Sequence, residues 1–308
     1  MRQITLLGPQ RLEPTLIQAV RAQNISGKIA TVTAGWQERE DEDRELHEHL
    51  ESRTINLRLY DRVSRIFEHD PGLRDAFRTR QDRLKELQRF YRIRLDHVLQ
   101  AARELVAIDE QSDLLDGHLA SAIRDLQLLD EEHLENVRRI HEHYEHEVDP
   151  GGRDEVRRQR DEVRAILTDC DALAIAGGHV AILLNRLRLL DIPTASEGKP
   201  LFLWSAGAMA MSERIVLFHD SPPQGQGNPE VLEAGLGVVG GVVPLPHARR
   251  RLRLYDRSRV ALFARRFSPA TCVTLDEGSR VDMTDTGWQS TKGTRKLLET
   301  GEVKELSA

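Results

Sequence analysis

An α/β fold, with a mostly parallel sheet flanked by helices and a long α-helical hairpin inserted into it, is predicted by three features of this sequence. Short Val/Ile/Leu runs ending in small-residue turns recur up to about residue 60 and again from about residue 170. Apolar runs of this length between turn signals read as buried strands. Helical patterns separate them, and strands alternating with helices give a sheet covered on both faces. Between the two regions lies a highly charged stretch of more than a hundred residues with two apolar stripes at helical spacing.

The elements follow in order. Ile4–Gly8 reads as a strand, Glu13–Gln23 as a helix carrying Leu16, Ile17 and Val20, and Lys28–Gly35 as a second strand. Glu38–Glu51 is a charged surface helix and Ile55–Tyr60 a third strand. A strand-to-strand crossover needs only about 30 residues, so the gap to Cys170 holds something more. Leu84, Leu87, Tyr91, Leu95, Val98, Ala102 and Leu105 form one helical stripe. Leu115, Leu119, Ile123 and Leu126 form another, which resumes out of phase at Leu134, Val137, Ile140, Tyr144 and Val148. Two antiparallel helices of about 50 Å each are predicted at 1.5 Å per residue, turning near Ile108–Asp113 and bounded by Pro71-Gly72 and Pro150-Gly151-Gly152. So narrow a stripe suits a coiled-coil-like pair. A return helix, Arg153–Leu167, leads back to strands at Asp171–Gly178, Leu201–Ala206, Ile215–His219, Gly241–Leu245 and Thr271–Leu275, with a helix at Arg249–Phe267. The expected organisation is a discontinuous α/β domain, residues 1–60 and 170–308, interrupted by a helical insertion over 61–169.

Composition narrows the function. The 308 residues are 39% hydrophobic and carry a net charge of −6, which argues for a folded core and against a general nucleic-acid binder. No run approaches the ~20 apolar residues of a membrane span. Two cysteines, Cys170 and Cys272, cannot form a disulfide framework and fit a reducing compartment. A cytoplasmic protein with no cofactor and no metal is expected.

The chemistry centres on Leu203-Trp-Ser-Ala-Gly-Ala208, where an apolar strand runs directly into Ser205 and small residues. A nucleophile elbow holds its serine on such a turn and needs small neighbours. A serine nucleophile also needs a base and an acid to orient that base. His247 ends the strand pattern GGVVPLPH and Asp220 ends RIVLFHD, both at the carboxyl edge of the inferred sheet. Glu230, Glu233 and Glu277 are alternative acids. Gly177-Gly178 and the amide of Ala206 could supply the two N–H groups an oxyanion requires. A working site would bring Ser205 Oγ within about 3.5 Å of a His247 ring nitrogen.

These residues resemble the serine peptidase family of dipeptidase E and cyanophycinase, which has the class I glutamine amidotransferase-like fold. The likeness rests on Trp204–Ala208, on Gly177-Gly178, on Asp220 fifteen positions after Ser205, on Gly235-Leu236-Gly237 before Val242–His247, and on Leu275-Asp-Glu-Gly278. His179 stands where the family often has Asn or Asp, and Leu203 where a glycine is usual. The resemblance covers roughly residues 1–60 and 170–285. It implies a hydrolase of amide bonds: Ser205 as nucleophile, His247 as base, Asp220 as orienter, Gly178 and Ala206 as the oxyanion hole, and a small peptide or amide as substrate. Gly177, His179 and Arg249 would border the substrate. Glutamine amidotransferases of this fold use cysteine and a His-x-Glu pair, whereas here Arg249 follows His247 by two. The alternative is an inactive domain of this fold that presents its helical arm to a protein partner or to a second copy.

Other signals read as structural. Arg249, Arg250, Arg251 and Arg253 open a helix and mostly face water. His141-Glu-His143-Tyr-Glu-His146 and His47-Glu-His49 read as solvated charged faces rather than metal sites. Ser221–Pro229 is a Pro/Gly-rich connecting loop.

Overall fold

The computed structural model describes residues 3–108, 112–219, 227–284 and 287–306. The first part of the chain forms β1 (Ile4–Leu7), α1 (Leu16–Ala22), β2 (Ile29–Val32), α2 (Arg44–His49), β3 (Thr54–Asn56) and α3 (Leu59–His69). The arm follows as α4 (Pro71–Val106) and α5 (Asp113–Val148), with α6 (Asp154–Thr168) returning. Next come β4 (Ala172–Ile175), α7 (Val180–Leu189), α8 (Ile192–Ala195), β5 (Leu201–Trp204), α9 (Ala206–Met211), β6 (Arg214–Leu217) and β7 (Glu230–Ala234). The chain ends with β8 (Val242–Pro246), α10 (Ala248–Arg251), α11 (Arg257–Phe267), β9 (Thr271–Leu275), β10 (Arg280–Thr284), β11 (Gly287–Ser290), β12 (Arg295–Leu297) and β13 (Val303–Glu305).

The central sheet has the order β11-β10-β1-β5-β4-β2-β3. β1, β5, β4, β2 and β3 are parallel, and β10 and β11 extend one edge antiparallel. Successive residues of a strand point to opposite faces. Leu201 and Leu203 therefore pack into one core layer with Leu173 and Ile175, while Phe202 and Trp204 pack into the other with Ala172 and Ala174. This is the mostly parallel, helix-flanked sheet that the alternation of patterns predicts.

The later strands are shared out differently. β6 pairs antiparallel with β7, and β8 and β9 lie parallel in a separate sheet of order β13-β12-β9-β8. An apolar run identifies a strand but not its partner. Leu59 starts a helix instead of closing a strand, and Glu38–Glu51 divides into a 3₁₀ segment, Ala34–Arg39, and α2. The helix expected over Arg249–Phe267 is broken at Leu252, which is extended (φ −114°, ψ 145°), and restarts where Asp256 accepts a hydrogen bond from Arg259 N.

Each arm helix has 36 residues, so each is about 54 Å long at 1.5 Å per residue. Asp70 and Ser112 cap their N-termini by accepting from Leu73 N and Leu115 N, satisfying donors that the helix itself leaves open. Of the turn expected at Ile108–Asp113, residues 109–111 lie outside the described residues. The phase slip between Leu126 and Leu134 has a tertiary cause: Asp130 and His133 are buried there, because α5 packs against β7 and α11 as well as α4. The run from His141 to His146 is likewise not all solvated. His143 and His146 are exposed, but His141 is buried with Nε2 2.6 Å from Glu233 Oε1 on β7. That partner comes from 92 residues away, which no local pattern can show. His47 and His49 are also engaged, with Thr54 Oγ1 and Ile17 N respectively. No described helix is long and apolar enough to cross a membrane.

Candidate active site

Ser205 stands between β5 and α9 with φ 50° and ψ −122°, a conformation that non-glycine residues adopt only when their surroundings impose it. The imposing parts are small residues. A Cβ at Gly207 would lie 2.3 Å from Ile175 O, so only glycine lets α9 approach β4 this closely. Leu203, which departs from the usual glycine, is fully buried in the core, and the elbow forms with it in place. The strand-to-helix turn read from the sequence is thus a strained one.

β4 runs beside β5, and its end lies against the serine. A Cβ added to Gly177 would lie 2.7 Å from Ser205 Cβ, 3.4 Å from its Oγ and 3.6 Å from Ala206 N. Gly178 has φ +122° and is exposed, in close contact with Gly35 at the end of β2. Gly177, Gly178, Ser205 and Ala206 are therefore gathered at the ends of adjacent strands. Gly177→Ala is expected to push the serine aside and slow its reactions by about 10²-fold, the order of loss an ångström-scale misplacement causes; labelling kinetics with a serine-directed probe would measure it. His179 is exposed, and its Nδ1 accepts from Ile182 N at 3.3 Å, capping α7.

On the other side of β5 the route to His247 runs through β1. A Cβ at Gly8, just after β1, would lie 1.8 Å from Asp276 O, and Gly8 N donates to Ser279 O. The parallel register Pro246↔Leu275 then sets His247 beside the Asp276-Glu277 turn. His247 has left-handed backbone angles (φ 56°, ψ 36°), so it too is strained, and its N–H donates to Leu275 O. Its Nδ1 lies 3.9 Å from Glu277 Oε1. Among the described residues no hydrogen bond joins the ring to Ser205 Oγ, so the hydrogen-bonded Ser205–His247 pair that the sequence predicts is not formed in this structure; hydrogen bonds of this kind are often long in the absence of substrate.

Two of the alternative acids are held by other partners. Glu230 is held by Arg92, at 2.5 and 2.7 Å. Glu233 is held by His141 and by Arg188, the latter at 3.0 Å. Both carboxylates tie the arm to the body. Asp220 lies outside the described residues, as does most of the Ser221–Pro229 loop. Asp276 is buried, accepts from Arg249 N at 2.9 Å and has Arg249 Nε 3.7 Å from its other oxygen; burial raises its carboxyl above the usual range. The proximity of Glu277 was open to sequence reading only as one of several acids, since it depends on the β8–β9 register.

Burial, and after it the neighbouring Arg251, hold the His247 imidazole below its ordinary value, against the opposite pull of Glu277 and Asp276. A lowered value leaves the ring neutral, and able to accept a proton, to lower pH than a free histidine. If His247 acts as the base of this site, the acid limb of kcat/KM is expected below about 6.5, the ordinary histidine value, and Arg251→Ala should move it upward. Among the described residues, no three His, Cys, Asp or Glu side chains gather closely enough to hold a metal ion. A cavity of about 160 Å³, lined in part by Leu99, Pro229, Leu262 and Phe263, lies between the arm and α11 and includes none of these site residues.

The family model described as peptidase family S51 matches residues 120–291, more than half of the chain. The chain belongs to peptidase family S51. The match begins within α5 and continues through β11, so it includes part of the arm as well as the elbow and His247. A crystal structure of a peptidase from an acI-B1 Actinobacterium aligns with 100% of this chain and 95% of its own, at 13% identity and a TM-score of 0.43. No curated protein matches.

Proposed function

We propose that this member of the family is a serine peptidase or amidase whose nucleophile is Ser205. The strained elbow at Ser205, packed against Gly177, carries this reading, because a side chain held in a costly backbone conformation at the end of a sheet strand fits the demands of a nucleophile. Ser205 Oγ attacks the amide carbonyl while His247 takes its proton. Gly178 N–H and Ala206 N–H stabilise the oxyanion of the tetrahedral intermediate. His247 then gives the proton to the leaving amine, and water releases the acyl group by the reverse sequence. A carboxylate orients His247 through Nδ1. The 3.9 Å approach supports Glu277 over Glu230 and Glu233, and the family resemblance supports Asp220. Comparing Glu277→Gln with Asp220→Asn separates them: the true orienter loses about 10⁴-fold in kcat, the other loses little. A small peptide or amide is the substrate class, and Arg249 leans on Asp276 at its border.

The test is covalent. Purified protein treated with a fluorophosphonate is expected to gain one adduct by intact mass, mapped to Ser205 and absent from Ser205→Ala. A well-folded wild type that takes up no adduct would overturn the proposal and turn attention to the arm as an interaction surface.

A further inference from the structure

We propose that Gln37 is a substrate-binding residue of this site, its carboxamide oxygen accepting a hydrogen bond from the nitrogen on the acyl residue's α-carbon. The inference rests on the serine peptidase reading and extends it. Gln37 has φ 62° and ψ −128°, nearly the angles of Ser205, and like Ser205 it follows a strand of the central sheet at its carboxyl edge. Such a backbone is costly for a residue with a side chain and persists only where its surroundings hold it.

Those surroundings are firm. Trp36 N donates to Thr33 O, and the Trp36 side chain packs into the core. On the far side, Glu40 N donates to Gln37 O, while Glu40 O accepts from Thr33 Oγ1 and from Asn56 Nδ2. The buried Glu40 carboxylate accepts from Tyr60 N and Asp61 N, anchoring the segment to α3. Both ends of the turn are fixed and the strain falls on Gln37, which is partly exposed and whose side chain makes no hydrogen bond among the described residues. The turn is packed onto the oxyanion strand: Gly35 O accepts from His179 N, and a Cβ at Gly35 would lie 2.6 Å from Gly177 O.

Topology gives the side of the substrate. His247 must protonate the leaving amine, so the leaving group lies toward β1 and β8, where His247 stands. The acyl part then extends the other way, over β4 toward β2, the strand that the turn holding Gln37 follows. An α-amine and an α-amide N–H both present a donor there, and a carboxamide oxygen accepts from either.

Labelling rates for Gln37→Ala and Gln37→Gly test this, and glycine takes these backbone angles without strain, so that variant keeps the fold. Three probes are needed: an ethoxy fluorophosphonate with no acyl nitrogen, diphenyl 1-aminoethylphosphonate, and its N-acetyl derivative. Both variants are expected to react with the fluorophosphonate within twofold of wild type, and about tenfold more slowly with whichever aminophosphonate wild type prefers. That preference tells amine from amide. Equal rates for wild type and variants with every probe, equal slowing with all three, or a wild type that reacts with the fluorophosphonate but with neither aminophosphonate, overturns the role of Gln37 and leaves Ser205 as nucleophile. Wild type inert to all three overturns the nucleophile and this role together.

Discussion

Ser205→Ala is expected to lower peptide turnover by about 10⁶-fold, the order seen when a serine nucleophile is removed, with no loss of stability. Ser205 is strained whichever small side chain it carries, and alanine has the same Cβ against Gly177. The elbow therefore keeps its shape while losing the hydroxyl proposed as the nucleophile. His247→Ala should cost a similar factor, and the double variant little more, because nucleophile and base act as a unit. Turnover of a chromogenic peptide, with circular dichroism to show that both variants fold, makes the comparison. Losses that multiplied would mean the two residues act separately, and the assignment of His247 as base would fail.

Asp130→Ala is expected to cost about 3–5 kcal/mol, the range for leaving one member of a buried ion pair alone. Arg266 is 1% exposed and Asp130 2%, and the guanidinium meets the carboxylate through two hydrogen bonds of 2.7 Å. Arg266 also donates to Pro229 O and to Tyr91 Oη; Tyr91 in turn donates to Asp130 and accepts from Val231 N. One buried network thus joins α4, α5, α11 and the start of β7. Without Asp130 the guanidinium stays dehydrated with no opposite charge nearby. Tyr91→Phe removes a single hydroxyl and should cost only about 1–3 kcal/mol. Urea unfolding of the full chain measures both. The Asp130→Leu/Arg266→Met pair, which removes both charges, should recover most of the loss; failure to recover it would show that the site needs its shape more than its charge balance.

Much of this site is legible along the chain because its parts are local. An elbow needs a strand, a serine and small residues in succession, and Leu201–Ala208 states all three in eight residues. Gly177-Gly178 and His247 can be read the same way, as the ends of apolar runs. The arm is legible too, since helical spacing repeated over 36 residues has no other reading. What failed to show was whatever depends on a partner far along the chain. Glu230 and Glu233 are candidate acids by position, yet Arg92, His141 and Arg188 hold them. His141 reads as part of a solvated charged face until β7 covers it. Glu277 approaches His247 only because β8 and β9 pair in one register.

Gln37 marks the boundary between the two kinds of information. Nothing in Ala34-Gly-Trp-Gln-Glu-Arg39 announces a strained residue; the strain arises because Thr33, Asn56 and Glu40 fix both ends of the turn. Side-chain type and spacing along the chain set the strands, the long helices and the chemistry available at each strand end, because those depend on neighbours a few residues away. Which carboxylate meets the histidine, which histidine is buried and where the backbone is strained were decided by packing, because each depends on groups that only the folded sheet and arm bring together.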